Sequence, residues 1–229
     1  MISGLQKLTL LDYPGQIACT VFLGGCNLRC PFCHNASLVM PDRVSEAYTE
    51  EDFFEFLSSR SGKLGAVCVS GGEPTLYPKI VDFIKRIKDM GLLVKLDTNG
   101  TRPEMLKSLV KDGLVDYVAM NIKNSPLKYA ETVGKADFDV DGVAESVDFL
   151  MKCGIDFEFR TTVVRELHTE KDIREIGEWL EGNEKFFLQS FEDSGDIIGS
   201  GYSAPAPEEM KNYLEILKKY IPNAALRKQ

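Results

Sequence analysis

Six short runs of apolar, partly β-branched residues recur along the chain, at Ile17–Phe22, Ala66–Ser70, Leu93–Asp97, Tyr117–Asn121, Phe157–Val163 and Phe186–Ser190. Each reads as a buried strand. Amphipathic helical patterns lie between most of them. Thr49 is an N-cap ahead of acidic Glu50, Glu51 and Asp52, with Phe53, Phe56 and Leu57 on one face. Ile80, Phe83, Ile84 and Ile87 mark a second helix, stopped by Gly91. Pro103 opens a third carrying Met105, Leu106, Leu109 and Val110, and Gly113 ends it. Val143, Val147, Leu150 and Met151 define a fourth before Gly154. Ile173, Ile176 and Leu180 define a fifth behind Thr169, and Met210, Tyr213, Leu214 and Leu217 a sixth.

Strand and helix alternating in this way predict an α/β fold with a parallel sheet and right-handed crossovers. Six units are too few for a closed eight-stranded barrel, so an open partial (β/α)6 barrel is expected, with a flat doubly wound sheet as the alternative. No internal repeat or second domain interrupts residues 1–229, which read as a single domain. Two stretches break the pattern. Ile122–Asp141 is a long polar connection, and the Gly/Ser/Pro-rich Glu192–Pro207 reads as a mobile loop.

Charge narrows the function. The chain carries 27 basic and 35 acidic residues, a net charge of −8, with no block of Lys or Arg. That argues against nucleic acid or an anionic membrane as the main partner. The segment Met1–Lys7 has no long apolar run or small-residue cleavage site, and no stretch approaches the roughly 20 apolar residues of a bilayer span. The expected location is cytoplasmic. There, six cysteines are expected as thiols, and a tight cluster of them signals metal or redox chemistry.

The cluster is Cys26-Asn-Leu-Arg-Cys30-Pro-Phe-Cys33, just after the first strand. Its spacing suits a loop wrapped around one face of an iron–sulfur cubane, for which thiolates are the usual ligands, normally four. Three are present locally. Cys19 and Cys68 fall inside strands and Cys153 at a distant helix end, where they read as small buried apolar residues. One iron is thereby left open, as catalytic metal sites require. Two alternatives remain: a zinc knuckle, for which His34 directly behind Cys33 is poorly placed, and a thioredoxin-like pair, which leaves Cys26 unexplained.

This spacing, with Phe32 immediately before the last cysteine, resembles the signature of the radical S-adenosylmethionine (SAM) superfamily. Gly71-Gly72-Glu73-Pro74 follows the second strand, where that superfamily has its SAM-binding Gly-Gly-Glu turn. Leu5–Gly15 (LQKLTLLDYPG), Gly25-Cys26-Asn27, Cys33-His34-Asn35 and Asp97-Thr98-Asn99-Gly100 together resemble the glycyl-radical-enzyme activases, most of all the longer type of anaerobic ribonucleoside-triphosphate reductase activating protein. The resemblance spans nearly the whole chain. It implies an open barrel of the radical SAM type and a [4Fe-4S] cluster on Cys26, Cys30 and Cys33, with SAM bound to the open iron through its amino and carboxylate groups. One electron then cleaves the sulfonium to methionine and a 5′-deoxyadenosyl radical, which removes a hydrogen from a Gly of a partner enzyme. The cofactors carry the difficult step, so no catalytic side chain beyond them is expected.

The candidate site residues fall at or just after predicted strand ends, which build the active face of (β/α) barrels. Gly71 and Gly72 would admit a close approach of backbone to ligand. Glu73 would hold the SAM ammonium or fix the loop, and Phe32, with the backbone around His34, would border adenine. Asp97 and Thr98 suit ribose hydroxyls or a monovalent cation. Lys123 and Arg160 suit a carboxylate. Related activases often carry Asp two residues before that Lys, where this chain has Asn121. The amide brings no negative charge to a cation and is suited instead to hydrogen-bond SAM. His168 reads as a helix-entry residue without chemistry.

With no long cysteine-rich extension and no substrate-enclosing domain, a second cluster is not expected. The Gly-bearing loop of a glycyl radical enzyme is the expected substrate, docked with help from Glu192–Pro207. A flavodoxin or ferredoxin is the expected electron donor. The rival readings are a radical SAM enzyme acting on a small molecule and, without catalysis, an iron–sulfur electron carrier.

Overall fold

The computed structural model describes residues 1–40 and 42–227. They fall into two compact units, the first formed by residues 1–27, 35–98 and 102–119, the second by residues 28–34, 99–101 and the chain from Met120 onward.

The first unit contains β1 (Ile2–Thr9), β2 (Ala18–Leu23), α1 (Ala36–Val39), α2 (Glu50–Ser59), β3 (Ala66–Gly71), α3 (Ile80–Asp89), β4 (Leu93–Thr98), α4 (Pro103–Lys111) and the start of β5 (Tyr117–Asn121). β2 pairs in parallel with β3, and β3 with β4. β2 and β3 are largely apolar because both faces are covered, the condition of parallel sheets, whereas β4 carries Lys95, Asp97 and Thr98. Their register runs from Ala18 opposite Ala66 to Leu23 opposite Gly71. The loops leaving β2 and β3, which carry Cys26 and Gly72, therefore start side by side.

Helix ends follow their capping chemistry. Thr49 accepts the Asp52 N–H (3.1 Å) while the Asp52 carboxylate accepts the Thr49 N–H (2.9 Å), a capping box with Asp in place of the more usual Glu. α2 and α3 bury Phe53, Phe54 and Phe83 against one another, with ring centroids 5.3–5.5 Å apart.

The second unit contains α5 (Tyr129–Thr132), α6 (Asp141–Cys153), β6 (Asp156–Val163), α7 (Glu170–Trp179), β7 (Phe186–Ser190), α8 (Pro207–Leu217) and β8 (Ala225–Arg227), with β6–β7 and β7–β8 parallel. Thr169 and Asp172 repeat the capping box at α7. Buried Glu158, 1% exposed, is held by both guanidinium nitrogens of Arg227, one at 2.7 Å, so β8 closes over a charge that needs its partner.

All six expected strands and all six expected helices are present. β1, antiparallel to β2, and β8 are additions. In β1 only Ile2 and Thr9 are fully buried and the register shifts twice, so no period-2 signal marks it. β8 is three residues long, too short to carry a pattern. One expectation is corrected: Cys153, read as buried, is half-exposed beside the left-handed Gly154 that ends α6.

His168, just before α7, is 1% exposed. Its Nδ1 accepts the Val164 N–H (3.1 Å), and its Nε2–H donates to the Lys123 carbonyl (2.9 Å). This neutral tautomer uses both ring nitrogens, and burial holds the pKa below its ordinary value. The unfolded chain takes up protons below pH about 6.5 while the folded ring resists them. The contribution of His168 is therefore complete above that pH and lost as pH falls through the folded-state value. We expect the unfolding free energy to decline between pH 7 and pH 5 in chemical denaturation, and His168→Gln to flatten that decline. An unchanged slope in the variant would exclude the strut role.

Candidate functional site

In the first unit, Gly24, Gly25 and Cys26 follow β2. The Gly25 N–H donates to the Leu38 carbonyl (2.7 Å), which ties the loop to α1. The Gly71–Glu73 turn lies directly against this loop. The Gly72 N–H donates to the Leu23 carbonyl (2.9 Å) and the Glu73 N–H to the Gly25 carbonyl (2.8 Å). A Cβ at residue 72 would stand 2.1 Å from the Gly25 carbonyl oxygen and 3.2 Å from the Cys26 Cβ. At residue 71, where φ is +122°, it would stand 2.2 Å from the Leu23 carbonyl oxygen. Both positions thus require glycine for the backbone to meet the cysteine loop.

Glu73 is 1% exposed. Its Oε1 accepts hydrogen bonds from the Thr75 N–H (3.1 Å), the Thr75 hydroxyl (2.5 Å) and the Thr98 hydroxyl (2.8 Å). The carboxylate therefore joins the end of β4 to the turn after β3. Asp97, one residue earlier, accepts from Ser70 Oγ (3.0 Å) and pairs with the Lys95 ammonium. Lys95 is 2% exposed and was not anticipated as part of the site. A signal for it existed: residues i and i+2 of a strand share a face, so Lys95 and Asp97 must point the same way. Cys19 and Cys68 are fully buried, and burial pushes the Cys19 thiol up to about 12, so these two remain protonated packing residues.

The second unit holds Leu28–His34, with Cys30 and Cys33. The Cys33 N–H donates to the Cys30 carbonyl (3.0 Å), closing a tight turn around Pro31 and Phe32. Cys30 and Phe32 are buried, Cys33 is half-buried and the His34 side chain is exposed. Crowding by neighbouring atoms and the positive charges of Lys123 and Arg160 lower the His34 pKa, against an opposing pull from Glu192.

Two outside segments brace this cysteine turn. The Arg29 N–H donates to the Val133 carbonyl (3.0 Å), and a Cβ at Gly134 would stand 2.3 Å from the Arg29 carbonyl oxygen. The Gly199 N–H donates to the Pro31 carbonyl (2.7 Å), and Ser194 Oγ to the His34 carbonyl (3.2 Å). The loop read as mobile is thus fastened to the cysteine turn. It is also held at its far end, where Ser203 donates from its N–H (2.8 Å) and hydroxyl (2.5 Å) to Glu166. Sequence reasoning missed Gly134 and Gly199, because main-chain contacts leave little mark on residue type.

Asn121 ends β5, and its Oδ1 accepts from Arg160 Nε (3.2 Å). Arg160 lies within β6 rather than after it. The main chain of Lys123 is fixed by Tyr129, whose hydroxyl accepts its N–H (3.2 Å), and by His168 on its carbonyl.

None of the six cysteines forms a disulfide. Among the described residues no three His, Cys, Asp or Glu side chains gather around a single ion. A cubane asks something different, one thiolate for each of several irons. The soft donors Cys26, Cys30 and Cys33, on loops braced by glycine contacts and main-chain hydrogen bonds, fit that requirement.

Residues 20–180 match the family model of the radical SAM superfamily. The chain is 33% identical over 238 residues to a protein of Methanocaldococcus jannaschii provisionally named glycyl-radical enzyme activating enzyme MJ1227, covering 99% of this chain and 95% of that one. It is 24% identical to the pyruvate formate-lyase-activating enzyme of Streptococcus mutans over 95% of this chain and 90% of the relative. Among solved structures, Streptococcus suis SuiB bound to its precursor peptide SuiA superposes with a TM-score of 0.72 at 16% identity, covering 91% of this chain and 48% of SuiB. That likeness carries the fold, an open α/β barrel with mostly parallel strands. Cysteine motif, Gly-Gly-Glu turn, fold and full-length relatedness agree, and the chain belongs to the radical SAM superfamily, within its family of glycyl-radical-enzyme activating enzymes.

Proposed function

We propose that this chain activates a glycyl radical enzyme, with anaerobic ribonucleoside-triphosphate reductase first among the candidate partners. The observation that carries the reading is the 33% identity to an activating enzyme along 99% of the chain, which includes the regions outside the cysteine motif. Cys26, Cys30 and Cys33 hold the [4Fe-4S] cluster, which when bound supplies the electron that cleaves SAM to methionine and a 5′-deoxyadenosyl radical. The protein's own work is positioning. The Gly71–Glu73 turn seats the methionine end of SAM against the Cys26 loop. Phe32 and the backbone at His34 border the adenine. Lys123 and Arg160 offer positive charge to the carboxylate, and Arg160 also orients the Asn121 amide.

The partner's Gly-bearing loop docks with help from the 192–207 segment. Two hydrogen bonds from that segment to the cysteine turn, at Pro31 and His34, give it a route by which docking is felt at the cluster loop. Reduction requires a donor at the low end of the roughly −700 to +450 mV range of iron–sulfur potentials, such as a flavodoxin or ferredoxin. The whole chain forms one functional domain in this reading.

Gly72→Ala should weaken SAM binding by about tenfold or more, because overpacking of this kind costs about 1–3 kcal/mol. Isothermal titration of the reconstituted protein measures it, with Cys153→Ser as a control expected to match the parent. Parental affinity in the glycine variant would remove the turn from the SAM seat. For the partner, anaerobic incubation with SAM, reductant and each candidate glycyl radical enzyme should give a glycyl radical doublet by electron paramagnetic resonance, strongest with the ribonucleotide reductase. SAM cleavage without a glycyl radical in any candidate would favour a small-molecule substrate.

A further inference from the structure

The resemblance to activases raised a monovalent cation beside the SAM carboxylate, with Asp97 and Thr98 as candidate ligands for it or for ribose hydroxyls. The residues present do not fit one. Asp97 already carries a cation: the Lys95 ammonium sits on its Oδ1, and Ser70 Oγ holds Oδ2 at 3.0 Å. Lys95 is 2% exposed, so its charge is stable there only while the carboxylate faces it. A potassium ion bound to Asp97 would have to displace an ammonium of equal charge that the strand holds in place, and would leave that ammonium buried against like charge.

The other candidate ligands bring no negative charge to offset a cation. Thr98 directs its hydroxyl hydrogen to Glu73 Oε1 (2.8 Å). Asn121 is uncharged, and its carbonyl oxygen, the atom a hard cation would seek, accepts from the Arg160 guanidinium at 3.2 Å. In its own unit Asp97, the one charged candidate ligand, meets a cationic side chain in place of a metal cation.

We propose that Lys95 is a built-in replacement for a monovalent cation at Asp97, so that this enzyme binds SAM without one. Lys95 acts through Asp97 and is a positioning residue, which keeps the carboxylate neutralised and aimed at the SAM seat. The inference rests on the assignment of Asp97 to that seat, but not on the identity of the protein partner. A failure to find the partner would leave the salt measurements below unaffected.

The test is the SAM dissociation constant of the cluster-reconstituted protein in potassium, sodium and tetramethylammonium chloride at equal ionic strength. Tetramethylammonium is too large for an oxygen-lined cation site. The parent protein should give the same affinity in all three salts to within about twofold, and its thermal midpoint should be equally insensitive. Lys95→Met should bind SAM about tenfold or more weakly in tetramethylammonium and recover in potassium or ammonium, as a metal or free ammonium ion fills the vacated place. A parent protein whose SAM affinity falls tenfold on replacing potassium would overturn the proposal, whether or not the variant folds. A Lys95→Met protein that binds SAM as tightly as the parent in every salt would overturn it as well.

Discussion

The close approach of the Gly71–Glu73 turn to the loop behind β2 is the constraint on which the site depends. Two backbone segments meet at hydrogen-bonding distance, Glu73 N–H to Gly25 carbonyl at 2.8 Å, with no room for a Cβ at residue 71 or 72. That contact fixes the loop carrying Cys26 relative to the ends of β2 and β3. The buried Glu73 carboxylate extends the same arrangement to β4 through Thr98. The parallel register of β2 and β3 makes it possible, since pairing that ends at Leu23 opposite Gly71 delivers both loops to one place. A slip of one residue would turn every side chain of β3 to its opposite face and separate the two loops.

The cysteine turn in the second unit is built differently. Its support is hydrogen bonding from two separate segments, one at Val133 and one carrying Ser194 and Gly199, each to a main-chain carbonyl or N–H of the turn. Groups bound through their backbone can be positioned without reserving side chains for the purpose. The same device ties the 192–207 segment to the turn. If a partner protein docks on that segment, the mechanical path to Pro31 and His34 is one hydrogen bond long in each case.

Much of this was legible in the sequence because the physical signals were local. β2, β3 and β5 announced themselves as continuous apolar runs, since both faces are buried, and Thr49 and Thr169 marked helix starts through a hydroxyl three residues ahead of an acid. The spacing of the three cysteines pointed to a metal cluster, and together with Gly-Gly-Glu it carried the resemblance that implies SAM chemistry. What escaped were features whose cause lies elsewhere in the chain. β1 has its ends buried and its middle exposed, so pairing with β2 rather than its own pattern makes it a strand. The loop at 192–207 looked mobile because glycine, serine and proline mark a break in regular elements, not the carbonyls a folded loop will meet. Lys95 was overlooked inside an apolar run, although its two-residue offset from Asp97 placed both on one face. Cys153 was read as buried because a lone cysteine is usually a small apolar packing residue, whereas it ends α6 half-exposed, just before the left-handed Gly154.

The central claim is that three cysteines on these two loops hold a cluster that cleaves SAM reductively. Its most direct test is anaerobic reconstitution with iron and sulfide, reduction with dithionite, addition of SAM, and chromatographic measurement of 5′-deoxyadenosine, with Cys30→Ala beside the parent. The account predicts product from the parent and none from the variant. No product from parent protein whose cluster is verified spectroscopically as [4Fe-4S] would contradict it, and would leave an electron carrier as the better description.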